Sequence, residues 1–253
     1  MQNENFIHPT AIIGPSVKLG EGNRIGPYTV IDGEVQIGDH NIIDSSVIMT
    51  NCVRIGSHNR IYPFVTIGHM GEMGYKGDRL VDGGTVEIGN HSIIREFVNI
   101  HSPVRTNLTR VGNHCYIMNK CYLAHDVKIG DHTSLTAGTK LAGRAEVGAF
   151  VNMGMGSAVH QRIHVGEGAM VGMNAAVIRH IPPYSIVAGV PARILGFNRM
   201  AALRKGYQDE EIEEVRRAFR DIILSRVEMD HEIAVLIRNY IRAHPENLLI
   251  DFK

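Results

Sequence analysis

The chain has 253 residues and is 44% apolar, enough for one sizeable core and a modest appendage. Its 26 Lys and Arg balance 26 Asp and Glu, which argues against a general nucleic-acid binder. Glycine is abundant (27 residues) and tryptophan absent, so the composition favours aliphatic layers joined by tight turns over an aromatic-rich sandwich.

The first residues, Met1 to Asn5, are polar, with neither a basic nor an apolar export region, and no later run has the length of a membrane span. A cytoplasmic protein is expected. From Ile13 an aliphatic residue returns every six positions: Leu19, Ile25, Ile31, Ile37, Ile43, Met49, Ile55, Ile61 and Ile67. The phase resumes at Ile88, Ile94 and Ile100, and again from Val111 through Leu123, Leu141 and Val159 to Val177. A small or β-branched residue such as Thr29, Val35, Cys115 or Val127 follows four positions later. A period of six fits neither a 3.6-residue helix nor a two-residue alternation. It predicts a parallel β-coil in which each hexad makes one short strand and one turn, three hexads close a triangular rung, and the aliphatics stack in the interior. Each buried Val, Leu or Ile contributes roughly 1.5–3 kcal/mol against exposure. The three cysteines, Cys52, Cys115 and Cys121, are too few for a disulfide framework and are read as small core-facing residues.

Two excursions interrupt the coil, one over residues 69–87 and one over 102–110; loops leaving a rigid solenoid are candidate substrate walls or tolerated insertions. The coil is expected to end near Ala192. Over residues 193–253 the spacing turns helical, with Ile212, Val215, Phe219 and Ile222, then Ile233, Leu236, Ile237, Tyr240 and Ile241, predicting two or three helices that cap the coil.

Phase also sorts the 14 histidines. His40, His58, His91, His114 and His132 each lie three residues after the repeat aliphatic, so the turn formula explains them. His125 lies two residues after Leu123, in Leu123-Ala124-His125-Asp126, a phase shared only with His69. A carboxylate beside an imidazole can fix its tautomer or stabilise its cation, which a general base requires, so His125 and Asp126 are a candidate pair.

The stretch Ile117-Met118-Asn119-Lys120-Cys121-Tyr122-Leu123-Ala124-His125-Asp126-Val127-Lys128-Ile129 resembles the active-site coil of the LpxA family, the UDP-N-acetylglucosamine 3-O-acyltransferases of lipid A synthesis. Ile94-Arg95-Glu96, Asn99-Ile100-His101, Ala158-Val159-His160-Gln161, Pro182-Pro183-Tyr184 and Leu203-Arg204-Lys205-Gly206-Tyr207 are similar to it as well. The resemblance implies a left-handed parallel β-helix with a small C-terminal helical domain, assembled as a homotrimer with sites between coils. It implies an acyltransferase that uses no cofactor or metal and takes its acyl chain from the phosphopantetheine thioester of an acyl carrier protein. His125 would remove the proton from the sugar hydroxyl, Asp126 would steady the developing charge, and the Gly143 N–H would stabilise the oxyanion. His160, Gln161, Asn198, Arg204, Lys205 and Lys76 match positions that meet the nucleotide sugar. Arg216, Arg217 and Arg220 offer a basic helix surface to an acidic carrier, interleaved with Glu211, Glu213 and Glu214. Met173 stands where the family often has Gly at the end of the acyl groove, which predicts a medium chain. Tyr122 and Arg144 replace histidines of the family, and Met200 replaces an acidic residue, so a related nucleotide sugar, including one with an amine acceptor, stays open.

Three other readings are compatible with the coil alone. An acetyl-CoA-dependent sugar acetyltransferase shares the scaffold but does not call for the Asn198 and Arg204 segment. A zinc carbonic anhydrase would need two histidines five residues apart, whereas His125 and His132 are seven apart and His160 and His164 four. A non-catalytic β-helix has no need of a His–Asp exception to the turn formula.

Overall fold

The structure, a computed structural model, describes residues 4–72 and 84–252. Within them the chain winds as a parallel β-coil whose strands form three sheets of eleven, nine and eight members. Most strands are two residues long, the outer one polar or half-exposed and the inner one the repeat aliphatic. Each residue pairs with the one 18 positions on, as in Ile7 with Ile25 and Ile43 with Ile61, so three hexads make one rung. Ile25, Ile31, Ile61, Ile67, Ile94, Ile100, Ile117, Leu123, Leu135 and Leu141 have no exposed surface, which is the core that the six-residue phase predicts.

The two excursions appear as jumps in this register. Ile61 pairs with Ile94, 33 positions on, and Ile94 pairs with Ile117, 23 positions on, in place of 18. Strand pairing resumes at Thr85 and at Leu108, each three residues before the aliphatics Ile88 and Val111, because the strands of this sheet there run to four residues. Cys115 and Cys121 are buried, and burial pushes both thiols up to about 11; Cys52 is only half-buried, with its sulfur 3.2 Å from the Thr85 hydroxyl.

Polar turn residues pair with their own copies one rung away. The Asn41 N–H and side-chain amide donate to Asn23 Oδ1 at 2.9 and 3.1 Å, and Asn59 repeats this on Asn41. Each inward amide thus meets a hydrogen bond that would otherwise cost about 1–3 kcal/mol to lose. The turn histidines form a second column. His40, His58, His91, His114 and His132 all take positive φ, and their rings stack at 4.8–5.2 Å, ending on Phe150. That separation is the spacing of adjacent strands, so the coil itself sets it.

The last parallel strand, Ser185–Ala188, pairs with Met170–Val171 and then antiparallel with Arg193–Phe197. Three helices follow: α1 (Arg199–Lys205), α2 (Asp209–Ile223) and α3 (Glu232–Ala243). Helix α2 buries Ile212, Val215, Phe219 and Ile222, the stripe its spacing predicts, and Phe219 packs edge-on against Phe197. The chain after α3 returns to the coil, where Leu249 donates its N–H to the His180 carbonyl. There His164, His180 and His244 cluster with ring centroids 4.6–5.3 Å apart, and the His164 N–H donates to His180 Nδ1 at 3.0 Å. Burial lowers the pKa of His164 and brings that of His180 down to about 4.

Candidate active site

His125 and Asp126 occupy a corner of the coil directly after the strand Tyr122–Leu123. Leu123 is fully buried and anchors the strand, so the turn that follows has a fixed origin. Asp126 takes the left-handed conformation, φ 62°, a region in which Asp is tolerated better than most residues. Its side chain is fully buried while 16% of the His125 side chain remains exposed, and His125 Nδ1 lies 2.6 Å from Asp126 Oδ2. With Nδ1 turned to the carboxylate, Nε2 is the ring atom left for a substrate.

The Asp126 carboxylate sits in a nest supplied by the second excursion. Its oxygens accept the N–H of Val104 at 3.2 Å, of Arg105 at 3.0 Å and of Thr106 at 2.7 Å, and the Thr106 hydroxyl at 2.6 Å. The Asp126 N–H donates to the Thr109 hydroxyl at 2.9 Å. Burial raises the pKa of this carboxyl, but the hydrogen bonds from the Thr106 side chain, His125 and the loop N–H groups outweigh it and hold the group below its ordinary value. Asp126 is therefore an anion at neutral pH, which fixes the ring and its tautomer.

Gly143 lies one rung above the dyad, and the Arg144 N–H donates to the His125 carbonyl at 3.0 Å. A Cβ at Gly143 would stand 2.6 Å from both Cε1 and Nε2 of His125, so only glycine lets the backbone lie against this edge of the ring. Among the described residues no backbone hydrogen bond takes up the Gly143 N–H. On the other side, a Cβ at Gly71 would stand 2.5 Å from His125 Cβ. An imidazole with one nitrogen on a buried carboxylate and the other beside an open backbone N–H can accept a proton next to an oxyanion donor.

The remaining expected site residues fall into groups. Gln161 follows Gly143 on the same corner, where the Arg162 N–H donates to the Gly143 carbonyl at 3.1 Å, and His160 and Gln161 are exposed there. Tyr122, on the strand leading to His125, donates its hydroxyl to Glu72 at 3.0 Å, and burial together with that bond pushes its pKa up to about 12. Arg144 is exposed one residue past Gly143. Met173, 72% exposed, stands on a different corner of the coil, the one that carries Gly138 and Gly156, so the chain by itself does not bring it to His125.

Asn198 caps α1, its Oδ1 accepting the Ala201 N–H, while its amide donates to the Gly168 carbonyl. Lys205 pairs with Glu167 and lies 5.8 Å from the centre of the Tyr207 ring, and Arg204 is exposed on the same helix. Met200 is exposed on that helix as well. Lys76 lies outside the described residues. Sequence reasoning missed Thr106, Thr109 and the backbone N–H groups that hold Asp126. Two threonines in an excursion next to the candidate rung were the only signal.

Residues 108–143 match the bacterial transferase hexapeptide family of six repeats, and residues 181–252 match the second domain of UDP N-acetylglucosamine O-acyltransferases. The matched repeats and the coil together define a hexapeptide-repeat acyltransferase. Over 249 residues the chain is 49% identical to the acyl-[acyl-carrier-protein]–UDP-N-acetylglucosamine O-acyltransferase of Psychrobacter arcticus, covering 97% of this chain and 93% of that one. It is 47% identical to the enzyme of the same name from a Sulfurihydrogenibium species, covering 97% and 90%. The solved UDP-N-acetylglucosamine acyltransferase of Francisella novicida superposes with a TM-score of 0.88 at 27% identity, covering 98% and 94% of the two chains. LpxA from Acinetobacter baumannii superposes with a TM-score of 0.81 at 30% identity, covering 97% and 95%. The chain belongs to the acyl-[acyl-carrier-protein]–UDP-N-acetylglucosamine O-acyltransferase family, LpxA.

Proposed function

We propose that this enzyme moves an acyl chain from an acyl carrier protein thioester to the 3-hydroxyl of UDP-N-acetylglucosamine, in the cytoplasm, as a step of lipid A synthesis. The observation that carries the reading is the His125 ring, held through Nδ1 by a buried carboxylate with its other edge against Gly143. His125 Nε2 accepts the hydroxyl proton as the sugar oxygen attacks the thioester carbonyl. The resulting oxyanion takes the Gly143 N–H, the carbon–sulfur bond breaks, and the thiolate leaves with the proton from the imidazolium. Asp126 offsets the charge on the ring between these two transfers. The buried, high-pKa thiols of Cys115 and Cys121 make poor nucleophiles, in keeping with direct transfer without an acyl-enzyme.

His160, Gln161, Lys76, Asn198, Arg204 and Lys205 are assigned to the nucleotide sugar, and Met173 to the far end of the acyl groove. Because Met173 and His125 stand on different corners of one coil, this assignment calls for adjacent subunits, and a homotrimer of coils with the 193–253 segment at one end supplies them. The test is product analysis with purified enzyme, UDP-N-acetylglucosamine and a panel of acyl carrier thioesters. A 3-O-acyl nucleotide sugar is expected. Acetylation from acetyl-CoA with no response to acyl carrier protein would overturn the assignment.

A further inference from the structure

We infer that Thr106 is a positioning residue for the His125–Asp126 pair, and that the 104–106 segment sets how strongly Asp126 pulls on the imidazole. This rests on the general-base reading above. The Thr106 residue gives Asp126 two hydrogen bonds, from its N–H at 2.7 Å and from its hydroxyl at 2.6 Å, both to Oδ1. The Arg105 N–H binds Oδ2, the oxygen that faces His125, at 3.0 Å. The carboxylate thus divides its charge between the imidazole and a ring of fixed dipoles.

This division has two effects that oppose each other. The donors hold the carboxylate in one orientation, so Nδ1 is always the bonded nitrogen and Nε2 always the open one. They also disperse its negative charge, which weakens its hold on a protonated ring. The Thr106 hydroxyl is itself oriented, its oxygen accepting the Leu108 N–H at 3.3 Å, so the excursion closes on the side chain that holds Asp126. Among the described residues, the titratable and charged groups on the neighbouring elements include Arg105 in the second excursion, His69 and Glu72 at the first, His101 and Tyr122 on the adjoining strands, the paired Arg110 and Lys128 on the strands either side of Asp126 in the chain, and Arg144 one rung above. Thr106 is the neutral side chain that reaches the carboxylate.

The test is the pH dependence of kcat/KM for Thr106→Val and Thr106→Ser, with thermal melting of each. Thr106→Val keeps the shape and removes the hydroxyl. Its kcat is expected to fall about tenfold with KM for the nucleotide sugar unchanged, as for loss of one hydrogen bond to a charged group. The acid limb of its profile is expected to move to higher pH, and Thr106→Ser to restore both. An unchanged profile and kcat in Thr106→Val would overturn the inference, and so would equal losses in Thr106→Val and Thr106→Ser that track melting. If Thr106→Val does not fold, Thr106→Ala removes the same hydroxyl without added bulk and is compared with Thr106→Ser by the same criteria. Activity surviving in His125→Ala would remove the general base itself, a separate failure from an unresponsive Thr106.

Discussion

Substituting Gly143 by alanine perturbs the site through one methyl group. The added Cβ would lie 2.6 Å from Cε1 and Nε2 of His125 and 3.3 Å from Cδ2. Relaxed carbon contacts sit near 3.5–4.0 Å, so the ring edge must retreat by about 0.9 Å. Its retreat is opposed by the 2.6 Å bond between Nδ1 and Asp126, whose own carboxylate is fixed by the 104–106 segment. The displacement therefore moves Nε2 away from the place proposed for the sugar hydroxyl. A misplacement near 1 Å in a reacting group costs about 10²-fold in rate. The variant keeps the Gly143 N–H, so the loss reports the ring position and not a missing oxyanion donor. Gly143 does not have a left-handed φ, so alanine fits the backbone and the coil should melt within a few degrees of the parent. Steady-state acyl transfer to UDP-N-acetylglucosamine should show kcat down about 100-fold. A folded Gly143→Ala enzyme with parental kcat would refute the claim that the Nε2 edge is the working edge.

Three further outcomes follow from other parts of the molecule. Leu123→Ala empties a fully buried position beneath the dyad and should cost about 2–5 kcal/mol in denaturant unfolding. The lowered pKa of His164 and His180 means the unfolded chain binds more protons between pH 6.5 and about 4, so stability should be complete above 6.5 and fall as the pH drops through that window. His180→Asn, which keeps an acceptor for the His164 N–H, should flatten that part of a melting-temperature profile, and an unaltered slope would count against the cluster. Met173→Gly should shift preference toward longer acyl chains in a competition between carrier thioesters, because it removes the bulk at the proposed groove end.

How much of this was readable in advance depends on whether a signal repeats. Leu123 and Leu141 could be placed because each rung presents one aliphatic to the same interior, so a chance match is diluted by every further turn. The turn histidines could be separated from His125 for the same reason: His91 and His114 obey the formula and stack, whereas His125 breaks it. Contacts made once carry no period. The hold of Thr106 on Asp126 joins residues 20 apart across an excursion, and the His244–His164 contact joins residues 80 apart. Asn198 illustrates a different limit, since a helix cap and a ligand contact call for the same residue type; in the folded chain its Oδ1 caps α1 and its amide N–H donates to the Gly168 carbonyl.

In the proposed reaction a single imidazole, that of His125, accepts the proton of the sugar hydroxyl. The most direct measurement compares kcat for His125→Ala with the parent enzyme, alongside circular dichroism and melting of both. Because the ring sits on a corner and makes none of the core, the variant should fold as the parent does and lose about 10²–10⁴-fold in kcat. A well-folded His125→Ala enzyme that transfers acyl chains at the parental rate would contradict the account.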